Sequence, residues 1–104
     1  MKKYPGSIAM LSLAVLLSAP AVSAAALTGH ELSSEAKIDL AQARAIALKA
    51  HPGTIVAEEL EREGGGSGLR YSFDIKQGGH VYEVGVDAKT GSVLENTKEG
   101  PNPD

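Results

Sequence analysis

Two segments of alternating polarity, residues 69–76 and 80–87, constrain the fold of this chain more than any other feature of its sequence. Successive side chains of a strand point to opposite faces of a sheet, so each segment predicts a strand with one apolar and one solvated face. The residues between them, 77–79, are few enough for a tight hairpin and include two glycines, which predicts antiparallel pairing. The side chains expected to face the core are Leu69, Tyr71, Phe73, Ile75, Tyr82, Val84 and Val86.

One amphipathic helix is predicted over residues 39–50. Asp39 and Gln42 have the spacing of a capping box, in which each side chain accepts a hydrogen bond from the backbone of the other residue. Apolar residues then recur at helical spacing, and the His51-Pro52 pair ends the helix, because a residue before proline is disfavoured in the helical conformation. The face expected to pack on the sheet consists of Leu40, Ala43, Ile46, Ala47 and Ala50.

A further strand is predicted over residues 54–62, and its second half is strongly acidic, with Glu58, Glu59, Glu61 and Glu63 close together. Charged side chains discourage unwanted pairing, so this strand is expected at an edge of the sheet. An edge strand can pair with a segment of another protein, which makes these four glutamates the candidate partner-contact residues. A calcium site is the less favoured interpretation, because an extended strand directs its carboxylates to opposite faces.

Two glycine-containing connections complete the predicted fold. Residues 64–68 form a flexible loop, and residues 87–91 form a turn that leads into a short last strand at Val93 and Leu94. After this strand the chain becomes polar, so residues 96–104 are expected to form a disordered tail. The predicted fold class is α+β, with one helix packed on an antiparallel sheet of three or four strands in a domain of residues 39–95.

The beginning of the chain has the pattern of a secretory signal peptide. Two lysines precede an uncharged apolar stretch at residues 8–17, and small residues follow at the positions that a signal peptidase recognises. Cleavage after Ala24 would make residues 1–24 the signal peptide and residues 25–38 a lead-in to the domain, and cleavage after Ala26 is the alternative. A membrane anchor is disfavoured, because a bilayer-spanning helix takes about 20 apolar residues and the apolar stretch at residues 8–17 is shorter than that. We therefore predict export without stable membrane insertion, and we favour a periplasm over the medium.

The composition excludes several classes of partner. The net charge of the chain is −3 and becomes −5 when Lys2 and Lys3 leave with the signal peptide, so a basic patch for nucleic acid or anionic lipid is not expected. The chain contains no cysteine, which excludes disulfides and a lipoprotein anchor. A small exported domain without disulfides depends on its apolar core alone.

Fragments of catalytic and metal-binding motifs occur but are incomplete. Residues 34–37 read Ser-x-x-Lys and residues 89–91 read Lys-Thr-Gly, as in penicillin-binding proteins, but the Ser-Asp-Asn element is absent and the chain is too short for that fold. His30, His51 and His80 do not have the spacing of metal ligands. We therefore predict no catalytic residue, no metal ligand and no cofactor.

The order of these elements resembles the PepSY domain family over about residues 40–95. The resemblance is carried by apolar positions of the helix and its end, by core residues of the strands and by the turn after the third strand. The residues concerned are Ala43, Ile46, Ala47, His51, Pro52, Gly53, Tyr71, Phe73, Tyr82, Glu83, Val84, Val86, Asp87, Ala88, Lys89, Thr90, Gly91, Val93 and Leu94.

This resemblance implies a class of function. PepSY domains occur in the propeptides of secreted metallopeptidases and in small exported proteins, and the family is thought to bind and restrain peptidases. It supplies no catalytic or metal-binding residue to carry over. We therefore expect a non-catalytic exported module that binds or restrains a peptidase or another envelope protein. The alternative is a small-molecule or metal-ion binding protein of the cell envelope.

Overall fold

The computed structural model describes residues 26–100. The predicted signal peptide, residues 1–24, and residues 101–104 of the predicted tail lie outside the described residues. Within the described range, no helix is long and apolar enough to cross a membrane. The elements in chain order are a 3-10 helix at His30–Glu35, an α-helix (α1) at Leu40–Ala50, and strands β1 at Thr54–Arg62, β2 at Leu69–Gln77, β3 at His80–Asp87 and β4 at Val93–Lys98.

The four strands form one antiparallel sheet in the order β1-β2-β3-β4, so each strand pairs with the next one in the chain. α1 packs across one face of this sheet, which we call the helix face. The opposite face, which we call the open face, carries no helix of the described chain, but the loop at residues 64–68 folds against its end at Arg70 and Asp87. The predicted α+β architecture is confirmed, with four strands.

α1 begins and ends where its sequence indicates. The Asp39 carboxylate accepts a hydrogen bond from the Gln42 backbone N–H (2.8 Å), and Gln42 Oε1 accepts one from the Asp39 N–H (2.9 Å). This reciprocal pair satisfies two N–H groups that the start of a helix leaves without intrahelical partners. Ala43 and Ala47 are fully buried against the sheet, and their small side chains allow α1 to lie close to it.

The hairpin between β2 and β3 also follows its prediction. Only Gly78 and Gly79 separate the two strands, and both have positive φ (58° and 85°). One of the two-residue turns that match the twist of a sheet, type I′, requires positive φ at both positions, which glycine adopts without strain. The resulting register places Phe73 of β2 opposite Val84 of β3 on the helix face.

The core lies between α1 and the helix face of the sheet. The residues of β2 and β3 that were predicted to face inward are buried, except for Tyr82. Tyr82 is half-buried and stacks on the ring of His51, with ring centroids 3.8 Å apart, because α1 ends beside it. The buried apolar residues are Ala43, Ala47, Ile55, Leu60, Leu69, Tyr71, Phe73, Ile75, Val84, Val86 and Ala88.

β4 extends further than the sequence indicated. The strand continues to Lys98, and the Glu99 N–H donates to the Val81 carbonyl (2.9 Å). Residues that we assigned to a disordered tail starting at residue 96 are therefore part of the sheet. Their side chains are mostly polar and gave no strand signal, and the backbone pairing with β3 is what keeps them extended.

The lead-in is also more ordered than expected, because it folds onto the outer edge of β1. The Thr28 N–H donates to the Glu58 carbonyl (3.1 Å), and the Thr28 carbonyl accepts from the Leu60 N–H (2.7 Å), which forms a parallel bridge to Glu59. Gly29 permits this approach. It has a φ of 83°, and a Cβ at this position would lie 2.0 Å from the Leu60 carbonyl oxygen.

Candidate functional site

The four glutamates predicted to contact a partner are divided between the two faces of the sheet. The alternation of side chains along a strand separates Glu58 from Glu59 and Glu61, and a register irregularity in β1 between Ile55 and Ala57 decides which face each of them takes. Beyond this bulge Glu58 turns to the helix face, whereas Glu59 and Glu61 turn to the open face.

Glu58 is bound internally. Its side chain is 1% exposed, and its carboxylate accepts two hydrogen bonds from Arg44 of α1, with Nε–Oε2 at 2.5 Å and Nη2–Oε1 at 2.9 Å. The same hydrogen bonds raise the pKa of Arg44 above its ordinary value. A buried carboxylate without such a partner is strongly destabilising, so this ion pair joins α1 to β1. A partner could reach Glu58 only by breaking it.

The other three glutamates have different surroundings. Glu61 accepts a hydrogen bond from the Ser72 hydroxyl (2.8 Å), and Glu63 lies 3.5 Å from the Arg70 guanidinium. Glu59 is exposed and forms no ion pair within the described part of the chain. Because Thr28 already occupies the backbone edge beside Glu59, a partner strand would have to displace the lead-in to pair there.

The open face of the sheet carries many more acidic than basic side chains. By strand register, the carboxylates that this face presents are those of Glu59, Glu61, Asp74, Glu83, Glu95 and Glu99. Asp87 lies on the same face, but its carboxylate is bound within a turn. Its cations belong to Arg70 and Lys76. This imbalance gives the open face a negative potential.

Three carboxylates converge at one end of the open face. Asp74 and Glu83 face each other across the hairpin, Glu99 follows β4, and one oxygen atom from each residue lies within 4.8 Å of the other two. We call these residues the acidic trio. All three are half-buried, and none forms an ion pair with another residue of the range 26–100. Together with Thr28, Ala57, Glu58, Glu59 and Ser72 they line a shallow depression of about 290 Å³.

The electrostatics of the trio reflect this crowding. Burial raises the pKa of Glu83 above its ordinary value, and the negative charges of Glu95, Asp74, Glu99 and Glu61 raise it further. Burial also raises the pKa of Glu99, as do the charge and the hydrogen bond of Asp74. A raised carboxyl pKa means that the folded chain disfavours the ionised form. Burial first, and neighbouring negative charges second, therefore disfavour the ionised forms of Glu83 and Glu99.

The other end of the open face contains its own cation. The Arg70 side chain is 9% exposed, and its Nη1 atom lies 3.4 Å from Glu95 and 3.5 Å from Glu63. Its Nη2 atom donates to the Gly64 carbonyl (3.2 Å), while Nε has no hydrogen-bond partner among the described atoms. The two ends of the face therefore differ, because a guanidinium partly neutralises one end, whereas no lysine or arginine of residues 26–100 forms an ion pair with the trio.

The Lys-Thr-Gly motif forms part of a turn that is organised by Asp87. The Asp87 carboxylate accepts hydrogen bonds from the backbone N–H groups of Ser67, Lys89 and Thr90 and from the Ser67 hydroxyl, at 2.6 to 3.1 Å. Burial alone would raise the pKa of Asp87, but these hydrogen bonds together lower it to about 2. The motif has a conformational role here, and the loop at residues 64–68 is attached to the turn through Ser67.

The remaining motif residues are not assembled into a catalytic centre within the described range. His51 Nε2 lies 3.1 Å from Gln77 Oε1, next to the stacked Tyr82 ring. His30 and His80 are exposed at the starts of the 3-10 helix and of β3. Ser34 is exposed in the 3-10 helix.

Our sequence reasoning missed the acidic trio, although the hairpin contained a signal for two of its members. A two-residue turn after residue 77 determines the register, and counting back from it places Asp74 opposite Glu83. Glu99 could not be recognised in this way, because its position depends on how far the pairing of β4 continues, and the sequence analysis assigned residues 96–104 to a tail.

A family model described as "Peptidase propeptide and YPEB domain" (PepSY) matches residues 37–97. The match covers more than half of the 104-residue chain and extends from just before α1 into β4. No curated protein and no solved structure matches the chain.

Proposed function

The chain belongs to the PepSY family, and on this premise we propose that it is an exported, non-catalytic module that binds a peptidase and restrains it. The observation that carries the proposal is the extent of the family match, which includes α1, all of β1, β2 and β3, and β4 as far as Thr97. The folded part of the chain is therefore a peptidase-associated domain almost in its entirety. We infer from this association that the domain acts by binding.

The surroundings of the hydroxyl groups support a non-catalytic role. Among residues 26–100, no serine or threonine hydroxyl lies within hydrogen-bond distance of a histidine or lysine side chain. Hydrolases with a hydroxyl nucleophile activate it through such a base. The Ser67 and Ser72 hydroxyls instead donate to carboxylates that are themselves part of the turn and of the sheet.

Export is supported by the signal-peptide pattern of residues 1–24. The mature protein is then expected to begin at Ala25, or at Leu27 if the second site is used. Intact-mass measurement of the exported protein distinguishes the two forms, and a full-length product retained in the membrane would contradict the proposal of a cleaved signal.

For the contact with the partner we propose the exposed acidic side of β1, in which Glu59 and Glu61 point to the open face. Glu58 and Glu63 contribute less directly, because both lie next to arginine side chains of the same chain. Acidic side chains at an interface steer association with a basic partner and make it sensitive to salt.

The experiment that tests the proposed function starts from the purified mature chain. We expect the immobilised chain to retain a peptidase from an envelope extract of its own organism, and we expect an excess of soluble chain to lower the activity of that purified peptidase. The chain alone is expected to hydrolyse neither peptide, ester nor β-lactam substrates. Retention of envelope proteins without any peptidase among them would contradict the proposal.

Charge reversal gives a matched test of the contact. Glu59→Lys combined with Glu61→Lys is expected to weaken peptidase binding and to reduce its dependence on salt. Glu31→Lys is the control, because Glu31 is exposed but belongs to the 3-10 helix. If the control weakens binding as much as the double variant, the β1 glutamates are not the contact.

A second candidate function, a metal-ion binding protein of the envelope, is favoured by one observation, the convergence of the acidic trio. Calcium takes six to eight oxygen ligands, more than three monodentate carboxylates supply. If Ca²⁺ or Mn²⁺ raises the melting temperature of the mature chain while no peptidase is retained, this function replaces the first.

A further inference from the structure

The lead-in lies outside the matched family domain but covers part of it. The family match begins at residue 37, and residues 26–36 precede it. This segment occupies the outer edge of β1, where Thr28 pairs with the backbone of Glu58 and Leu60. A segment that is not part of the family domain therefore closes the strand edge beside the proposed partner contact.

The contacts that hold the lead-in on β1 lie close to solvent. None of residues 26–36 is fully buried, and Leu27 and Leu32 pack against the margin of the core as half-buried side chains. Glu35 and Arg62 form an ion pair in which both side chains are exposed, and such pairs contribute little stability. Contacts of this kind open locally while the rest of a domain stays folded.

The lead-in has an attachment point that is separate from β1. The backbone N–H groups of Lys37 and Ile38 both donate to the Ala88 carbonyl (2.9 and 3.1 Å). Ala36, immediately before them, has an extended backbone (φ −79°, ψ 146°) that joins the 3-10 helix to this attachment. Residues 26–35 can therefore leave β1 while α1 and the sheet keep their positions.

The seated lead-in shows which kind of segment the β1 edge accepts. Thr28 offers an extended backbone donor and acceptor, and the neighbouring Leu27 packs against the core. A second copy of the chain fits poorly, because two adjacent β1 strands would bring the glutamates at 59 and 61 of both copies together. An extended segment with a leucine-like side chain fits, and a basic side chain near Glu59 would strengthen its binding.

We propose that the lead-in is an autoinhibitory strap, which occupies the β1 edge in the free chain and gives way to an extended segment of the protein partner. That segment then pairs with β1 in its place. The inference rests on the proposed function for the existence of the partner, and it adds how the contact forms. The apparent affinity for the partner then depends on the fraction of chains whose lead-in has left β1.

A peptide with the sequence of residues 25–35 provides the first test, because it contains the segment that β1 binds in the structure. Its binding to the isotope-labelled mature chain is measured by NMR from the amide resonances of Glu59 and Leu60. We expect the peptide to bind Gly29→Ala at least about tenfold more tightly than the wild type, whose own lead-in competes for the edge. The methyl group of this variant would lie 2.0 Å from the Leu60 carbonyl oxygen, which displaces its lead-in.

One control changes the peptide and the other changes the protein. The same peptide with Thr28→Pro lacks the N–H that donates to Glu58, and we expect it not to bind at Leu60. Gly64→Ala should bind the unchanged peptide as weakly as the wild type, because a Cβ there meets no atom within 4 Å. Equal binding of the peptide to Gly29→Ala and to the wild type, or binding to neither, overturns the proposal.

A reversible lock tests the closed state. The double variant Thr28→Cys with Glu59→Cys places two thiols across the bridge, in a chain that has no other cysteine. Both side chains line the same depression, and adjacent strands lie about 5 Å apart, which a disulfide can span. We expect the oxidised form to retain less peptidase than the reduced form of the same protein, because its lead-in cannot leave β1.

The retained peptidase separates this inference from the proposed function. Stronger retention by Gly29→Ala than by Gly64→Ala, with weaker retention by the oxidised than by the reduced double variant, supports both. Equal retention by all of these proteins overturns the strap and leaves the proposed function in place. Failure of every one of them to retain a peptidase overturns the proposed function, whereas the peptide measurements still decide whether the lead-in covers a docking edge.

Discussion

At the scale of single residues, Asp87 is a buried carboxylate that connects two loops of the domain. It is 1% exposed and ionised, and four hydrogen bonds compensate for the burial of its charge. These bonds connect the loop at residues 64–68 to the turn before β4. One carboxylate therefore organises two connections that the sequence indicated only as flexible or turn-forming.

Asp87→Asn tests this role. The pKa of Asp87 is lowered from 3.8 to about 2, so its stabilising contribution is complete above the ordinary pKa and is lost as the pH falls towards about 2. The size of the shift corresponds to about 2 kcal/mol. In urea titrations we expect Asp87→Asn to be less stable than the wild type by about this amount at neutral pH, and to lose less stability between about pH 4 and about pH 2.

The control for this measurement is Glu31→Gln, which removes an exposed carboxylate and should retain the wild-type acid dependence. If Asp87→Asn loses stability over the same acidic interval as steeply as the wild type, the acid sensitivity originates elsewhere.

At the scale of elements, the edge strand β1 is positioned by two contacts that lie far from it in the chain. Arg44 of α1 binds Glu58 on the helix face, and Thr28 of the lead-in pairs with the backbone at Glu58 and Leu60. The bulge between Ile55 and Ala57 makes the first contact possible, because it turns the Glu58 side chain towards α1.

The Arg44–Glu58 ion pair leads to an asymmetric prediction. Arg44→Met leaves a buried carboxylate without a partner and is expected to cost about 3 kcal/mol. Glu58→Met should cost less, because the Arg44 side chain is 28% exposed and can turn to solvent. The double variant Arg44→Met with Glu58→Met is expected to recover much of the loss, as measured by urea denaturation in a double-mutant cycle. Additive losses would show that the two side chains are not coupled.

Gly29→Ala tests the pairing of the lead-in. A methyl group at this position would lie 2.0 Å from the Leu60 carbonyl oxygen, and the φ of 83° is itself unfavourable for alanine. We expect the Thr28 and Leu60 amide protons to exchange faster in this variant, while the amide protons of β2 and β3 stay protected in hydrogen-exchange measurements. Gly64→Ala is the control, because a Cβ there meets no atom within 4 Å. Unchanged exchange at Leu60 in Gly29→Ala would contradict the importance of the bridge.

At the scale of the whole molecule, the domain is a two-layer structure with one small apolar core. Phe73 is fully buried and lies between α1 and the neighbouring strands. Without disulfides, this core has to stabilise the domain by itself, so its stability is expected near the low end of about 5–15 kcal/mol.

Phe73→Ala is therefore expected to cost about 3–5 kcal/mol and to unfold a large fraction of the protein, as monitored by circular dichroism. Ser72→Ala, on the opposite face, is expected to cost about 1 kcal/mol, because Ser72 is buried and donates to Glu61. Ser34→Ala, at an exposed position, should change the free energy of unfolding by less than about 0.5 kcal/mol. Equal melting temperatures for the Phe73 and Ser34 variants would contradict the assigned core.

The sequence by itself determined the features that depend on neighbours in the chain. The capping box at Asp39, the end of α1 before Pro52, and the hairpin at Gly78 and Gly79 all follow from local backbone preferences, and the structure confirms them. The alternation in β2 predicted its apolar face correctly for the same reason, since one periodicity decides the direction of every side chain. The prediction of a solvated opposite face is wrong at Arg70 and Ser72, which are buried because other parts of the chain pack beside them.

Only the tertiary structure decided the features that depend on residues distant in the chain. The bulge in β1 turned Glu58 inward to Arg44, and pairing with β3 extended β4 far enough to bring Glu99 to Asp74 and Glu83. Neither contact has a local signal, because the side chains involved are polar and their positions are set by sheet register and by ion pairing across elements. The candidate site of this protein is built from such contacts, which is why the sequence predicted its fold more completely than its site.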